Sequence, residues 1–231
     1  MLWTEMQRAS NIEERLLEVK SHLPETVRLV AVSKFHPVEA IQEAYAAGQR
    51  LFGESRAQEA VPKQESLPKD IEWHFIGHLQ ENKVRYIAPF VALIHSVDSL
   101  KLLREIDKQG VKCGRVIPCL LEIFVAQEET KYGFTTEECD DLLHSAELKA
   151  LTHVEIRGLM GMASLTEDET QIREEFNTLR TFFEKIRGEV TLPNVHIREL
   201  SMGMSHDYKI AMEEGSTMVR IGTTIFGERT Y

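Results

Sequence analysis

Cysteine is scarce in this chain, and where it occurs its spacing suits neither a disulfide framework nor a metal. Cys113, Cys119 and Cys139 are odd in number and form no C-x-x-C pair, which fits reduced thiols. His74 and His78 lie four apart, but Gly77 interrupts them and no H-E-x-x-H pattern accompanies them, so zinc has no support. Long apolar runs are also missing, and no stretch approaches the ~20 residues of a membrane span. The opening MLWTEMQRASNIEERLL carries acids and no apolar h-region, so it does not read as a signal peptide, and a cytoplasmic location is expected. Positive charge is in deficit: 27 Lys and Arg face 37 Asp and Glu, a formal net charge of −10. The spaced trio Lys83, Arg85 and Lys101 is too thin to overcome that field, so nucleic acid and anionic membranes are poor partners.

What is present is an ordinary globular composition, 42% hydrophobic and 28% charged over 231 residues. A chain of this length buries on the order of 70% of its unfolded surface and needs no staple. No tract rich in Pro, Gly or Ser divides it, so a single domain over 1–231 is expected. Short apolar runs at 27–33, 50–52, 72–76, 91–96, 116–123, 154–160, 196–201 and 218–221 read as strands. Stretches of helical period separate them. One begins with Pro37 and stops at Gly48, a second is capped by Asp98 and ended by Gly110, and a third runs from Glu167 to Arg187 before Gly188. The third sets Ile172, Phe176, Leu179, Phe183 and Ile186 on one stripe. A further helix near 10–21 precedes the first strand.

Eight strands alternating with helices match the arithmetic of a (β/α)8 TIM barrel. The rival, an open doubly wound sheet, normally carries a Gly-rich turn after its first strand, and AVSKFHP contains no glycine. A barrel places its chemistry at the C-terminal ends of the strands. Those ends supply Lys34, then GES at 53–55, GHLQ at 77–80, HSVD at 95–98, GLMGMAS at 158–164, SMGMS at 201–205 and RIGTTIFG at 220–227. The last two segments suit a phosphate, because glycine lets backbone N–H groups approach an anion and Ser201, Ser205, Thr223 and Thr224 add hydroxyls. Tight strand-to-helix turns also favour Gly and Ser, but two such loops opposite one lysine favour a phosphorylated ligand.

A strand-end lysine can simply snorkel to solvent. Between apolar walls and a cationic neighbour, however, its ammonium form is disfavoured and the amine becomes nucleophilic toward a carbonyl. Lysine, phosphate cradle and one arginine together suit an aldehyde-bearing phosphate ester. Pyridoxal 5′-phosphate meets all three requirements, with Lys34 as its Schiff-base partner.

The chain resembles the pyridoxal phosphate homeostasis protein family, single-domain relatives of the alanine racemase barrel (fold type III). The resemblance rests on AVSK at 31–34, FGESRAQE at 52–59, HFIGHLQENK at 74–83, IRGLMGMA at 156–163 and the long segment LSMGMSHDYKIAMEEGSTMVRIGTTIFGERTY at 200–231. It implies that Lys34 carries the aldimine, that Arg220 faces the pyridine nitrogen, and that Ser201, Ser205, Gly222 and Thr223 hold the phosphate. Met202 and Met160 are implied near the ring. The family more often has asparagine where this chain has Ser55, which has one donor where the amide has two. His78 stands at a position the family varies.

The resemblance leaves open whether such a protein binds or catalyses. A permanently cationic arginine disfavours protonation of the pyridine nitrogen and weakens the cofactor as an electron sink. Racemases of this fold add a tyrosine from the partner's C-terminal β-domain, and this chain stops at Tyr231, so no such domain is expected and a monomer is favoured. Its five tyrosines, Tyr45, Tyr86, Tyr132, Tyr208 and Tyr231, fall in helices, in loops away from the expected pocket or at the terminus. Losing a positioned acid–base forfeits the ~10²–10⁴-fold such a group contributes. The expected role is storage, buffering or delivery of pyridoxal phosphate, with apo-enzymes as partners and no efficient catalysis. A fold-type III racemase or decarboxylase and a sugar-phosphate-binding barrel are the alternatives.

Overall fold

The computed structural model describes residues 2–126 and 132–228, with side chains described from Ile12 onward. Its elements run α1 (Leu2–Ser21), β1 (Arg28–Val32), α2 (Val38–Ala46), β2 (Leu51–Glu54), α3 (Ala57–Ser66), β3 (Glu72–Phe75), α4 (Glu81–Ile87), β4 (Leu93–Val97) and α5 (Leu100–Cys113). They continue with β5 (Ile117–Ile123), α6 (Thr136–Leu143), α7 (Ala146–Lys149), β6 (Val154–Gly161), α8 (Glu169–Glu189), β7 (Val195–Ser201), α9 (Tyr208–Glu213), β8 (Met218–Ile221) and α10 (Thr223–Phe226). The eight strands close in sequence order into a parallel barrel, the TIM architecture the alternation predicts. Tyr231 and residues 127–131 lie outside the described residues.

All eight expected strands form, within two residues of the expected bounds at nearly every end. Parallel strands covered on both faces are apolar throughout, and β5 is buried at every position. The stripe expected on α8 is buried as predicted, and Asp168 caps that helix by accepting from the Thr170 and Gln171 N–H groups. The ends of α5 differ from expectation. Ser99, not Asp98, is its cap, and the helix runs through Gly110 to stop at Gly114, which takes the left-handed conformation at φ 63°. Gly110 serves packing instead: a Cβ there would lie 2.8 Å from the Arg115 carbonyl and from His153.

The helix α1 lies outside the ring, where Ile12, Leu16 and Val19 pack with Ile41 and Ala44 of α2 and with Ile225 and Phe226 of α10. Inside the barrel the centre is filled by Val30, Leu93, Leu120, Met160 and Met218. At the N-terminal mouth Arg28 bonds both Glu72 (2.9 Å) and Glu199 (3.3 Å). These pairs are partly solvated and worth only about 0–1 kcal/mol each. Strand side chains repeat every two residues, so the next inward positions above the apolar centre are Val32, His95, Glu122, Met162 and Arg220. The candidate site is therefore one layer up from the packed interior.

Candidate functional site

At the C-terminal mouth, a cavity of about 230 Å³ is lined by Val32, Lys34, His36, Ile76, Met162, Met204, Ser205, His206, Arg220, Gly222 and Thr223. It lies below the ~300–1,000 Å³ of pockets for drug-sized ligands, so it suits a compact, single-ring molecule. Five of the residues singled out in the sequence (Lys34, Ser205, Arg220, Gly222 and Thr223) are brought together here. Met160 lies beneath, in the barrel centre. Met202 is fully buried in the outer core between sheet and helices. Ser201 is buried with its hydroxyl already engaged. Ser55 and His78 are not among the residues lining this cavity; the exposed His78 lies 3.3 Å from Asp98 and its ring packs on Tyr132 at 4.7 Å.

The arginine is held rigidly. Arg220 Nη1 donates to the Ser201 carbonyl (2.8 Å) and hydroxyl (2.6 Å), and Nη2 donates to the Gly161 carbonyl (3.1 Å). Burial lowers its pKa to about 10 against the opposing pull of the Asp207 and Glu122 carboxylates, which still leaves a cation at neutral pH. Behind Ser201 stands a line of buried imidazoles: His95 Nδ1 lies 3.0 Å from Ser201 Oγ, and His95 Nε2 lies 2.9 Å from His74 Nδ1. Burial drives His74 down to about 3 and His95 well below its ordinary range, so both rings are neutral. With Arg220 donating to Ser201 Oγ, the hydroxyl proton is left for His95 Nδ1. His95 then carries its own proton on Nε2 and donates to His74.

The two loops read as a phosphate cradle in the sequence meet on one side of this cavity. Gly222 N–H donates to Ser205 Oγ at 3.3 Å, and a Cβ on Gly222 would stand 3.1 Å from the Val32 carbonyl, a tight contact that the neighbouring strand would have to relax by a few tenths of an ångström. The Asp207 carboxylate accepts from the Met204 N–H at 2.6 Å and fixes the SMGMSHD loop from within. Ser216, given no role in the sequence analysis, ties the two strands together by donating within reach of the Leu200, Met202 and Met218 carbonyls.

The segment carrying Lys34 is shaped from behind by α3. Lys63, buried at 7% exposure, donates to the Ser33 carbonyl (2.9 Å) and to Glu54 (2.7 Å). Glu54 also accepts from the Ser33 hydroxyl (2.6 Å), while Glu59 accepts from the Phe35 N–H (2.9 Å). Phe35 adopts φ 66°, a left-handed conformation costing a bulky residue roughly 1–3 kcal/mol. Removing one partner of a buried ion pair such as Lys63–Glu54 typically costs about 3–5 kcal/mol.

Glu122 was not among the residues the motifs marked. It is 5% exposed, two residues beyond the interior Leu120. Burial raises its carboxyl to about 7, Asp98 adding to the effect and Arg220 opposing it. The two-residue spacing above the barrel centre was the available signal for Glu122, His95 and Met162. Burial also pushes up the Cys119 and Cys139 thiols, as inert buried cysteines require. Among the described residues there is no group of His, Cys, Asp and Glu able to hold a metal, and no helix long and apolar enough to cross a membrane.

Comparison with known proteins converges on one group. The family described as "Alanine racemase, N-terminal domain" matches residues 8–230. A pyridoxal phosphate homeostasis protein of Aquifex aeolicus is 41% identical over 229 residues, covering 97% of this chain and 98% of that protein. PipY of Synechococcus elongatus PCC7942, 41% identical, superposes with a TM-score of 0.87 without PLP and 0.84 with PLP bound, covering 94% of this chain and 100% of PipY in both cases. Alanine racemase of Clostridium difficile 630 shares the fold at a TM-score of 0.76 and 14% identity, this chain covering 58% of it.

Proposed function

We propose that this chain, which belongs to the pyridoxal phosphate homeostasis protein family and to the wider alanine racemase N-terminal domain family, binds pyridoxal 5′-phosphate at the C-terminal mouth of its barrel. The observation carrying this reading is the convergence of Lys34, Arg220, Ser205, Gly222 and Thr223 on one small cavity. The residues fit the cofactor's chemistry. Gly222 leaves room for an anion's oxygens beside backbone N–H groups, and Ser205 and Thr223 contribute hydroxyls. Arg220 is a fixed cation that would disfavour protonation of a pyridine nitrogen held beside it.

Lys34 is the proposed covalent anchor. Its amine would condense with the cofactor's aldehyde, a C=N bond replacing C=O with loss of one water. The bound cofactor supplies an electrophilic, conjugated ring, and the protein holds and orients it. Arg220 keeps that ring a weak electron sink, which supports a carrier without efficient catalysis of its own. The reading extends to a cytoplasmic monomer that stores, buffers or passes the cofactor to apo-enzymes. Sedimentation of the pure protein tests the first part, and timed activation of a catalytically silent apo-enzyme, with and without a free-cofactor trap, tests the second.

The anchoring experiment is borohydride reduction of the loaded protein followed by peptide mapping. A pyridoxyl group on the Lys34 peptide is expected, with none in Lys34→Ala, where weaker phosphate-anchored binding persists. Label on another lysine, or yellow colour retained by Lys34→Ala, refutes the assignment. A second reading, in which proton exchange occurs at a bound amino acid, draws on Glu122, a buried carboxyl at the barrel's C-terminal end that burial raises to about 7. Rapid deuterium incorporation at the α-carbon of L-amino acids in D₂O would favour it.

A further inference from the structure

Lysine is almost never fully buried unless paired, and Lys63, paired with Glu54, is buried on the outer side of the sheet, away from the cavity. Its ammonium group bonds the Ser33 carbonyl, which belongs to the peptide unit entering Lys34. Glu59, one turn earlier on the same helix, bonds the Phe35 N–H, which belongs to the peptide unit leaving Lys34. Peptide units are rigid planes, so the φ and ψ of Lys34 are the soft torsions between them. Clamping both planes from one helix fixes the direction in which the Lys34 side chain departs. Glu54 completes the clamp by accepting from both Lys63 and the Ser33 hydroxyl, and Lys63 lies 3.7 Å from Glu59. The guanidinium of Arg56 sits 4.8 Å over the Phe35 ring and adds a contact on the outgoing side.

We propose that Lys63, Glu54 and Glu59 are positioning residues that aim the Lys34 amine at the aldehyde of the bound phosphate ester. They would act on covalent capture and leave phosphate-anchored docking alone. The inference rests on the reading of Lys34 given above. A purely structural brace would hold the barrel together and affect every ligand equally. A positioning brace separates two ligands that differ only at the reacting carbon, because misdirecting a reacting group harms only the step that uses it.

The test compares pyridoxal 5′-phosphate with pyridoxine 5′-phosphate, which keeps the ring and phosphate but has an alcohol in place of the aldehyde. Dissociation constants are measured for the full-length protein, Lys63→Met, Glu59→Ala and Glu59→Gln. Wild type is expected to prefer the aldehyde strongly. Lys63→Met and Glu59→Ala should lower that preference by about tenfold or more while the alcohol's affinity changes less than about twofold. Glu59→Gln, which keeps an oxygen for the Phe35 N–H, should restore most of the preference. Should Lys63→Met fail to fold, the two Glu59 variants decide the matter alone. An unchanged preference in Glu59→Ala, or a parallel fall in both affinities, overturns the proposal. If wild type shows no preference for the aldehyde, the Lys34 reading itself fails, and the positioning role falls with it.

Discussion

Replacing Glu122 with glutamine should stabilise the protein, and by an amount that depends on pH. The carboxyl lies inside the barrel mouth, and burial raises it from 4.5 to about 7. At about 1.4 kcal/mol for each tenfold change in proton affinity, that displacement corresponds to about 3 kcal/mol. Between pH 4.5 and 7 the folded protein holds a proton here that the unfolded chain has released. Stability therefore falls as pH rises through this window and levels off above it. Glutamine is neutral throughout and of nearly the same size. At pH 4 the two proteins should unfold alike, and by pH 8 Glu122→Gln should be more stable by up to about 3 kcal/mol, or roughly 6–12 °C in Tm for a chain of this length. Paired thermal and urea unfolding of both proteins from pH 4 to 9 measures the difference directly, since every other titrating group is common to the two. A difference that is flat with pH, or that grows toward acid, would refute the placement of an ionisable carboxyl in that desolvated layer.

Other substitutions probe other parts of the construction. Gly158→Ala would put a Cβ 1.8 Å from the Glu199 carbonyl oxygen at φ 151°; neither backbone can yield, so a loss of more than about 4 kcal/mol, or insoluble expression, is expected on a solubility and melting assay. Gly222→Ala asks the Val32 carbonyl to give by a few tenths of an ångström. It should keep Tm nearly unchanged while weakening pyridoxine 5′-phosphate by about 1–2 kcal/mol on a binding titration. His95→Phe strips the buried Ser201 hydroxyl of its acceptor and should cost about 1–3 kcal/mol in urea unfolding at pH 8; because burial keeps His95 neutral when folded while the unfolded imidazole takes up a proton near 6.5, that cost should shrink by roughly 0.8 kcal/mol at pH 6.

The order of strands and helices was legible because alternation and length leave few solutions, and apolar runs covered on both sides announce themselves. That Lys34, Ser205, Arg220, Gly222 and Thr223 would meet around one cavity was legible because they stand at strand ends or just beyond, where a barrel concentrates chemistry. Ser201 shows the limit of that reasoning. It too ends a strand, yet its hydroxyl faces inward to Arg220 and His95, and only the pleat decides which way a strand-end side chain turns. Met202, one residue on, points into the outer core for the same reason. The reach of α5 past Gly110 was hidden because a glycine that ends a helix and a glycine that lets two backbones touch look the same in one dimension. The Lys63 clamp was hidden more deeply: it depends on a helix packing behind the first two strands, and no local pattern encodes that contact.

The pocket has no foundation of its own. Val32, Met162 and Arg220 line the cavity two residues above side chains that fill the barrel centre, so the cavity wall rests on the top course of the protein's own packing. Trimming a methionine or leucine in that course, well out of reach of any ligand, would lower the floor and tilt the groups resting on it. For this architecture, affinity and packing volume are two readings of one dimension, and adjusting the grip on a ligand need not begin with a residue that touches it.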